Sequence, residues 1–125
     1  MSKPYYVKFE TATEIIEATF DALRQAKETG KIKKGTNETT KAIERGVAKI
    51  VLIAEDVEPP EVVAHLPILC EERNIPYLFA PTKDKIGEVL GVQLPTAAAC
   101  IIEAGESQEL LDQIIPKLKE QISTG

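Results

Sequence analysis

Three short runs of apolar and β-branched residues constrain the fold of this chain more than any other feature of its sequence. The runs are Lys49–Ala54, Pro76–Ala80 and Ala98–Glu103. Their length and composition are typical of strands buried in a sheet. Between them, apolar residues recur at three- and four-residue steps, which predicts amphipathic helices. This alternation predicts an α/β fold: one domain over residues 1–125, a three-layer α-β-α sandwich with a small mixed sheet.

Glycine, proline and capping residues set the expected helix ends. Thr36 and Asn37 are expected to cap a short second helix, Pro59-Pro60 to begin the third, and Pro67 to kink or restart it. Ile32 is expected in a short strand. The predicted helices are Thr13–Gly30, Gly35–Gly46, Pro59–Cys70, Thr82–Gly91 and Ser107–Ile122, the last bent near Pro116.

Charge is distributed unevenly along the chain. The net charge is −5, but residues 24–49 carry +5 and the remainder carries −10. An acidic body repels polyanions in general, whereas one basic region can still hold a particular one. A solvated lysine-rich face explains the charge equally well, so charge alone leaves both interpretations open.

The sequence predicts neither a membrane span nor a disulfide or zinc framework. Its longest apolar stretches, Ile50–Ala54 and Ala97–Ile102, fall far short of the ~18 residues that a membrane span requires. Met1–Pro4 has no apolar signal region, which predicts a cytoplasmic protein. Cys70 and Cys100 lie in apolar runs and are expected to be small buried hydrophobes.

The best enzyme-like arrangement lies at the strand ends. Glu55 and Asp56 follow one strand and Lys83 follows the next, as in a receiver-like phosphate-handling enzyme. Such a site needs a second acidic cluster, which is not found, so helix capping by Glu55 and Asp56 is favoured. His65, the only histidine, is interpreted as structural or surface-exposed, because no nucleophile lies at a partner spacing. Neither of the glycine-rich nucleotide-binding motifs G-x-x-x-x-G-K-S/T and G-x-G-x-x-G occurs in the sequence. We therefore expect no catalysis, cofactor or metal.

The segment Lys31–Lys41 is the most informative part of the sequence. A helix N-terminus at Gly35 presents unpaired N–H groups that can accept a phosphate. Lysines surround it, and Asn37 and Glu38 add hydrogen-bonding groups suited to base edges. In selective nucleic-acid binding, lysines contact the phosphate backbone, whereas residues such as Asn and Glu contact base edges. A capped surface helix with incidental lysines remains the alternative.

The apolar loop Val92–Pro95 follows the helix stop at Gly91. It is either part of the core or an exposed wedge against unstacked bases, as suits distorted RNA.

Four segments together resemble a known family: Lys33–Lys41 (KKGTNETTK), Ile53–Pro59 (IAEDVEP), His65–Cys70 (HLPILC) and Ile75–Tyr77 (IPY). The family contains the archaeal ribosomal protein L-seven-Ae and the eukaryotic small nucleolar and spliceosomal kink-turn proteins. The resemblance runs from about Val7 to the closing helix, and it implies an α/β/α protein that binds kink-turns, helix–bulge–helix RNA motifs with tandem sheared G·A pairs.

The resemblance also implies roles for individual residues. Three groups of contacts are expected: G·A pairs and RNA backbone, the flipped-out bulge nucleotide, and an apolar loop. The first group is Lys33, Lys34, Gly35, Thr36, Asn37, Glu38 and Lys41, the second Glu58, Val62 and Lys83, and the third Val92, Leu94, Pro95 and Ala97.

Leu94 stands where eukaryotic relatives specialised for small nucleolar RNA carry an arginine. The apolar pattern resembles the archaeal members and implies tolerance of kink-loops as well as kink-turns. The implied partners are large-subunit ribosomal RNA, box C/D and H/ACA guide RNAs, ribonuclease P RNA and the proteins of those particles. A scaffold of the same fold without kink-turn selectivity would not need Asn37, Glu38 and Lys41 together.

Overall fold

The computed structural model describes residues 3–124, which form a mixed sheet flanked by helices. The strands are β1 (Lys31–Lys34), β2 (Ile50–Ala54), β3 (Tyr77–Ala80) and β4 (Ala98–Glu103). The α-helices are α1 (Thr13–Thr29), α2 (Thr36–Glu44), α3 (His65–Glu72), α4 (Lys83–Leu90) and α5 (Gln108–Thr124), with short 3-10 helices at Pro60–Val62 and Gly105–Ser107.

The four strands are arranged in the order β1-β4-β2-β3. β2 and β3 are parallel, whereas β4 runs antiparallel to both β1 and β2. The last residues of β1, β2 and β3 therefore lie at the same end of the sheet as the first residue of β4. We call this end, marked by Lys34, Ala54, Ala80 and Ala98, the carboxyl end of the sheet.

The core lies on both faces of the sheet. Every residue of β2 and β3 is buried, as their uninterrupted apolar sequence predicts. α1 packs against α4 and α5, and α2 packs against α3, so the sheet lies between two helical layers. The predicted α/β sandwich with a small mixed sheet is confirmed.

Two predicted helix starts were wrong in detail. Gly35, not Thr36 or Asn37, is the N-cap of α2, and no side chain caps it. The third helix does not begin at Pro59-Pro60, because a separate 3-10 turn forms there and α3 begins only at His65. Pro67 lies in the first turn of α3, where a missing N–H removes no intrahelical hydrogen bond.

No helix within residues 3–124 is both long and apolar enough to span a membrane. Cys70 and Cys100 are free and buried, as expected of small hydrophobes.

Candidate nucleic-acid interface

Segments far apart in sequence meet at the carboxyl end of the sheet. The Gly35 N–H donates to the Ala98 carbonyl at 2.8 Å, which joins the start of α2 to the start of β4. The Thr96 N–H donates to the Lys83 carbonyl at 3.0 Å, which joins the loop before β4 to the start of α4. The sheet topology thus brings Lys33–Lys41, Glu55–Val62, Lys83 and Val92–Ala97 to one end of the molecule.

The start of α2 is open to a ligand because residue 35 is a glycine. Its φ of 93° lies in the left-handed region, which disfavours any side chain, and no atom lies within 4 Å of where a Cβ would be. The N–H groups of the first turn are not capped by a side chain. A helix start of this kind attracts anions through its N–H groups and its dipole.

Glu38 lies between two lysines on the exposed side of α2. Its carboxylate is 4.0 Å from Nζ of Lys33 and 3.5 Å from Nζ of Lys41. All three side chains are about half exposed, so the pairs contribute little stability but orient the carboxylate. Asn37 and Lys34 are exposed beside them, so lysines, an amide and a carboxylate face solvent together.

Asp56 caps α4. Its Oδ1 accepts a hydrogen bond from the Lys83 N–H at 2.8 Å, and Oγ1 of Thr82 accepts one from the Lys85 N–H at 3.1 Å. Glu55 instead pairs with Lys3 at 3.2 Å. Capping by Asp56 was expected, but it acts on a helix 27 residues away rather than on the adjacent turn. The carboxylate that the receiver-like alternative requires is therefore engaged in holding α4.

The segment after β2 is held by Tyr6, which sequence reasoning did not single out. The Tyr6 hydroxyl donates to the Ala54 carbonyl at 2.7 Å and accepts from the Val57 N–H at 3.5 Å. Burial raises the pKa of Tyr6, which keeps the hydroxyl a donor. Glu58 and Val62 beyond it are exposed, so both are available to a ligand at this end.

The loop between α4 and β4 presents an apolar tip. Leu94 is 74% exposed, which excludes a place in the core, and Pro95 is exposed beside it. Val92 and Ala97 are partly buried and pack against the core at the two ends of the loop. The loop therefore exposes one large apolar side chain between two residues that pack on the core.

His65 links α3 to α2. Its Nε2 lies 2.9 Å from the Thr40 hydroxyl, which itself donates to the Thr36 carbonyl at 2.7 Å. Because a hydroxyl has one proton to donate, His65 Nε2 carries the hydrogen in this contact. The ring thus supports the helix that carries Asn37 and Glu38, in agreement with the structural interpretation.

Comparison with known proteins gives a consistent result. The chain superposes on a structure described as the Giardia lamblia 15.5kD RNA binding protein with a TM-score of 0.87. The two sequences are 29% identical, and the match covers 94% of this chain and 98% of the other. Residues 17–111 match the Ribosomal protein L7Ae/L30e/S12e/Gadd45 family, a range that includes all of the candidate interface. The resemblance is therefore confirmed, and the chain belongs to the Ribosomal protein L7Ae/L30e/S12e/Gadd45 family.

Proposed function

We propose that this protein binds kink-turn RNA, and the related kink-loop, and stabilises the bent form without catalysing a reaction. The observation that carries the proposal is the meeting of a lysine-flanked helix start, an exposed Asn37-Glu38 pair and an apolar loop at one end of the sheet. Membership of a family of ribosomal proteins and the likeness to an RNA-binding protein support RNA as the partner.

The start of α2 holds the RNA backbone in this proposal. Lys33 and Lys34 supply positive charge, and the first-turn N–H groups beyond Gly35 and Thr36 meet a phosphate. The open space over Gly35 permits the close approach that such a contact requires. These contacts fix orientation and carry no sequence information.

Asn37, Glu38 and Lys41 read the sheared G·A pairs. Asn37 has both donor and acceptor atoms, and the Glu38 carboxylate accepts from amino groups on base edges. A carboxylate beside a polyanion is unfavourable unless it accepts hydrogen bonds. The lysines at 4.0 and 3.5 Å reduce that repulsion and hold the carboxylate outward.

The remaining residues surround distorted nucleotides. Leu94 and Pro95, with Val92 and Ala97 behind them, contact unstacked bases, which present apolar faces that regular A-form RNA hides. Glu58, Val62 and Lys83 enclose the flipped-out bulge nucleotide.

Binding the bent conformer more tightly than the extended one shifts the RNA towards the bend. The protein then acts as a large-subunit ribosomal protein, as a core protein of box C/D and H/ACA guide-RNA particles and in ribonuclease P, within the cytoplasm. In these particles the chemistry belongs to partner proteins and RNA.

A gel-shift titration on two RNAs of equal length tests this function. One RNA contains a kink-turn, and in the other Watson–Crick pairs replace the G·A pairs. We expect strong preference for the kink-turn. Equal binding to both RNAs, or binding to neither, contradicts the proposal and returns attention to Glu55, Asp56 and Lys83.

A further inference from the structure

A cavity lies at the end of the sheet opposite to the carboxyl end. Its volume is about 420 Å³, within the range of roughly 300–1,000 Å³ that small-molecule sites occupy. It is lined by Tyr77, the first residue of β3, together with the end of α3, the turn after α3 and the end of α5. The cavity therefore shares no residue with the proposed RNA interface.

The floor of the cavity is apolar and firmly held. Ile75 and Tyr77 are 7% and 1% exposed, and Ile122 of α5 lines the cavity with them. The turn between α3 and β3 is fixed by hydrogen bonds to carbonyls of α3 from the N–H groups of Arg73, Asn74 and Ile75, at 3.0, 3.3 and 2.8 Å. A preformed apolar surface of this kind suits the apolar part of a small ligand.

One wall of the cavity carries negative charge. α3 ends in Glu71 and Glu72, and its last turn contains no basic residue. Carboxylates at this end of a helix are unfavourable, because the helix dipole already places partial negative charge there. Arg73 follows, but within residues 3–124 it forms no ion pair with either glutamate. Glu71 lines the cavity, so this wall suits a cationic group.

Tyr77 orients the Glu71 carboxylate. Its hydroxyl donates a hydrogen bond to Oε2 of Glu71. A carboxylate has two oxygens and about four acceptor positions, so this bond leaves others open. The neutral hydroxyl supplies no positive charge. Glu71 is therefore held in place and still lacks a counter-charge.

Lys119 brings the opposite charge to the same cavity. It lies on α5 and is exposed, and its ammonium group forms no ion pair in the part of the chain that the structure describes. Glu71 and Lys119 thus line one cavity without pairing with each other. Both charges remain available to a ligand that carries a positive and a negative group.

We infer that this cavity binds a small zwitterion with an apolar body, which is the chemistry of an apolar amino acid. The ammonium group of the ligand contacts Glu71, and its carboxylate contacts Lys119. Its apolar part lies against Ile75 and Ile122. Each charged group of the ligand then has a hydrogen-bonding partner of opposite charge. The inference goes beyond the proposed function and does not depend on it, because the cavity lies outside the RNA interface.

An NMR titration of the protein with L-phenylalanine tests this inference. The backbone amide signals of Asn74, Ile75 and Tyr77 report on the cavity. Two compounds related to the probe each lack one of its charges: phenylalaninamide has no carboxylate, and 3-phenylpropionate has no ammonium group.

Variants of the two charged residues complete the test. Glu71→Gln and Lys119→Met each remove one charge and keep a side chain of similar length. Glu72→Gln and Lys117→Met are the matched controls, because both residues are exposed on the same two helices and neither lines the cavity. A melting curve of each variant separates lost contacts from lost folding.

We expect L-phenylalanine to shift the three amide signals in a saturable manner. Glu71→Gln and Lys119→Met should each weaken its binding by about tenfold, as for the loss of a hydrogen bond to a charged group. Phenylalaninamide should bind the wild type and Lys119→Met about equally, because it lacks the group that Lys119 contacts. For the same reason 3-phenylpropionate should not distinguish the wild type from Glu71→Gln. Both controls should match the wild type.

Three results overturn the inference. The first is an absence of signal changes at the solubility limit of L-phenylalanine, and the second is a set of changes confined to other parts of the chain. The third is equal affinity of the wild type, Glu71→Gln and Lys119→Met, which would show that the charges do not contribute. A failure to prefer kink-turn RNA would contradict the proposed function alone and would leave the cavity's ligand unaffected.

Discussion

Gly87 of α4 packs directly against the backbone of Leu94, so that a Cβ atom at position 87 would overlap the Leu94 carbonyl oxygen. The Val92 N–H also donates to the Gly87 carbonyl at 3.0 Å. The exposed Leu94 side chain is thus held by close contact between a helix and the loop backbone. A glycine in α4 thereby positions a residue that we place against RNA.

Gly87→Ala is expected to displace this loop. Overpacking against backbone should lower the free energy of unfolding by about 1–3 kcal/mol, measured by urea denaturation. Kink-turn affinity should fall as well, because Leu94 moves. Glu88→Ala, on the exposed face of the same helix, should leave both nearly unchanged. A fully stable Gly87→Ala protein with wild-type affinity would contradict this role of the contact.

Glu38→Ala is expected to weaken kink-turn binding by about 1–3 kcal/mol, the value of a good base-edge contact. The loss should occur although the change removes a negative charge from a surface that binds a polyanion. Its thermal stability should change little, because the Glu38 ion pairs are exposed. Isothermal titration calorimetry and a melting curve measure the two effects.

Glu44→Ala is the control for Glu38, since both are exposed glutamates of α2 and Glu44 lies outside the interface. If charge alone matters, both variants should bind slightly tighter. Tighter or unchanged binding by Glu38→Ala would remove Glu38 from the site.

Lys33→Ala tests the backbone role of the lysines. It should lower affinity by a similar factor for related kink-turns and reduce the slope of log affinity against log salt by somewhat under one unit. Fluorescence anisotropy at several salt concentrations measures this, with Lys117→Ala on α5 as the control. A loss that depends on base sequence, with an unaltered slope, would assign Lys33 to base recognition instead.

Alkali is expected to destabilise the fold. Burial raises the pKa of Cys70 to about 12 and that of Cys100 to about 11. Burial, and then the hydrogen bond to Glu71, also raises the pKa of Tyr77. A group whose pKa is higher in the folded than in the unfolded state contributes stability at pH values below its unfolded pKa. That contribution is lost as the pH rises towards the folded pKa. The free energy of unfolding should therefore fall progressively above about pH 9.

Thiol labelling separates this explanation from a general effect of base. At pH 8.5 the folded protein should resist a thiol reagent under conditions that fully label the unfolded chain, because only the thiolate reacts. Tyr77→Phe should make the alkaline loss of stability less steep. Rapid labelling of both cysteines in the folded state would contradict their burial.

Local sequence signals predicted most of the secondary structure. The strands, the Thr82 cap and the Gly91 stop of α4 all follow from periodicity and residue type, which act within a few neighbours. The start of α2 was harder, because its N-cap is Gly35, which has no capping side chain and whose N–H donates to the carbonyl of Ala98, 63 residues away. A hydrogen bond between residues so far apart in the chain cannot be predicted from the residues around Gly35.

The same limit applies to the interface. The charged and polar residues of Lys33–Lys41 were visible in the sequence, since their chemistry is unusual for one helix start. Two residues that position the interface were not visible: Tyr6 under the segment after β2 and Gly87 under Leu94. Asp56 was expected to cap a helix, but not one as distant along the chain as α4. Each acts through a tertiary contact, and a tyrosine, an aspartate or a glycine has many ordinary uses. Whether Leu94 was core or surface also required the fold, because a leucine fits either.

The most direct test of the central claim measures RNA bending by energy transfer. A kink-turn RNA carries a donor and an acceptor on the ends of its two stems, in buffer without divalent ions. We predict that adding the protein raises the transfer efficiency to a saturating value, and that RNA with Watson–Crick pairs in place of the G·A pairs shows no such rise. Binding of both RNAs with no change in transfer would contradict recognition of a bent RNA.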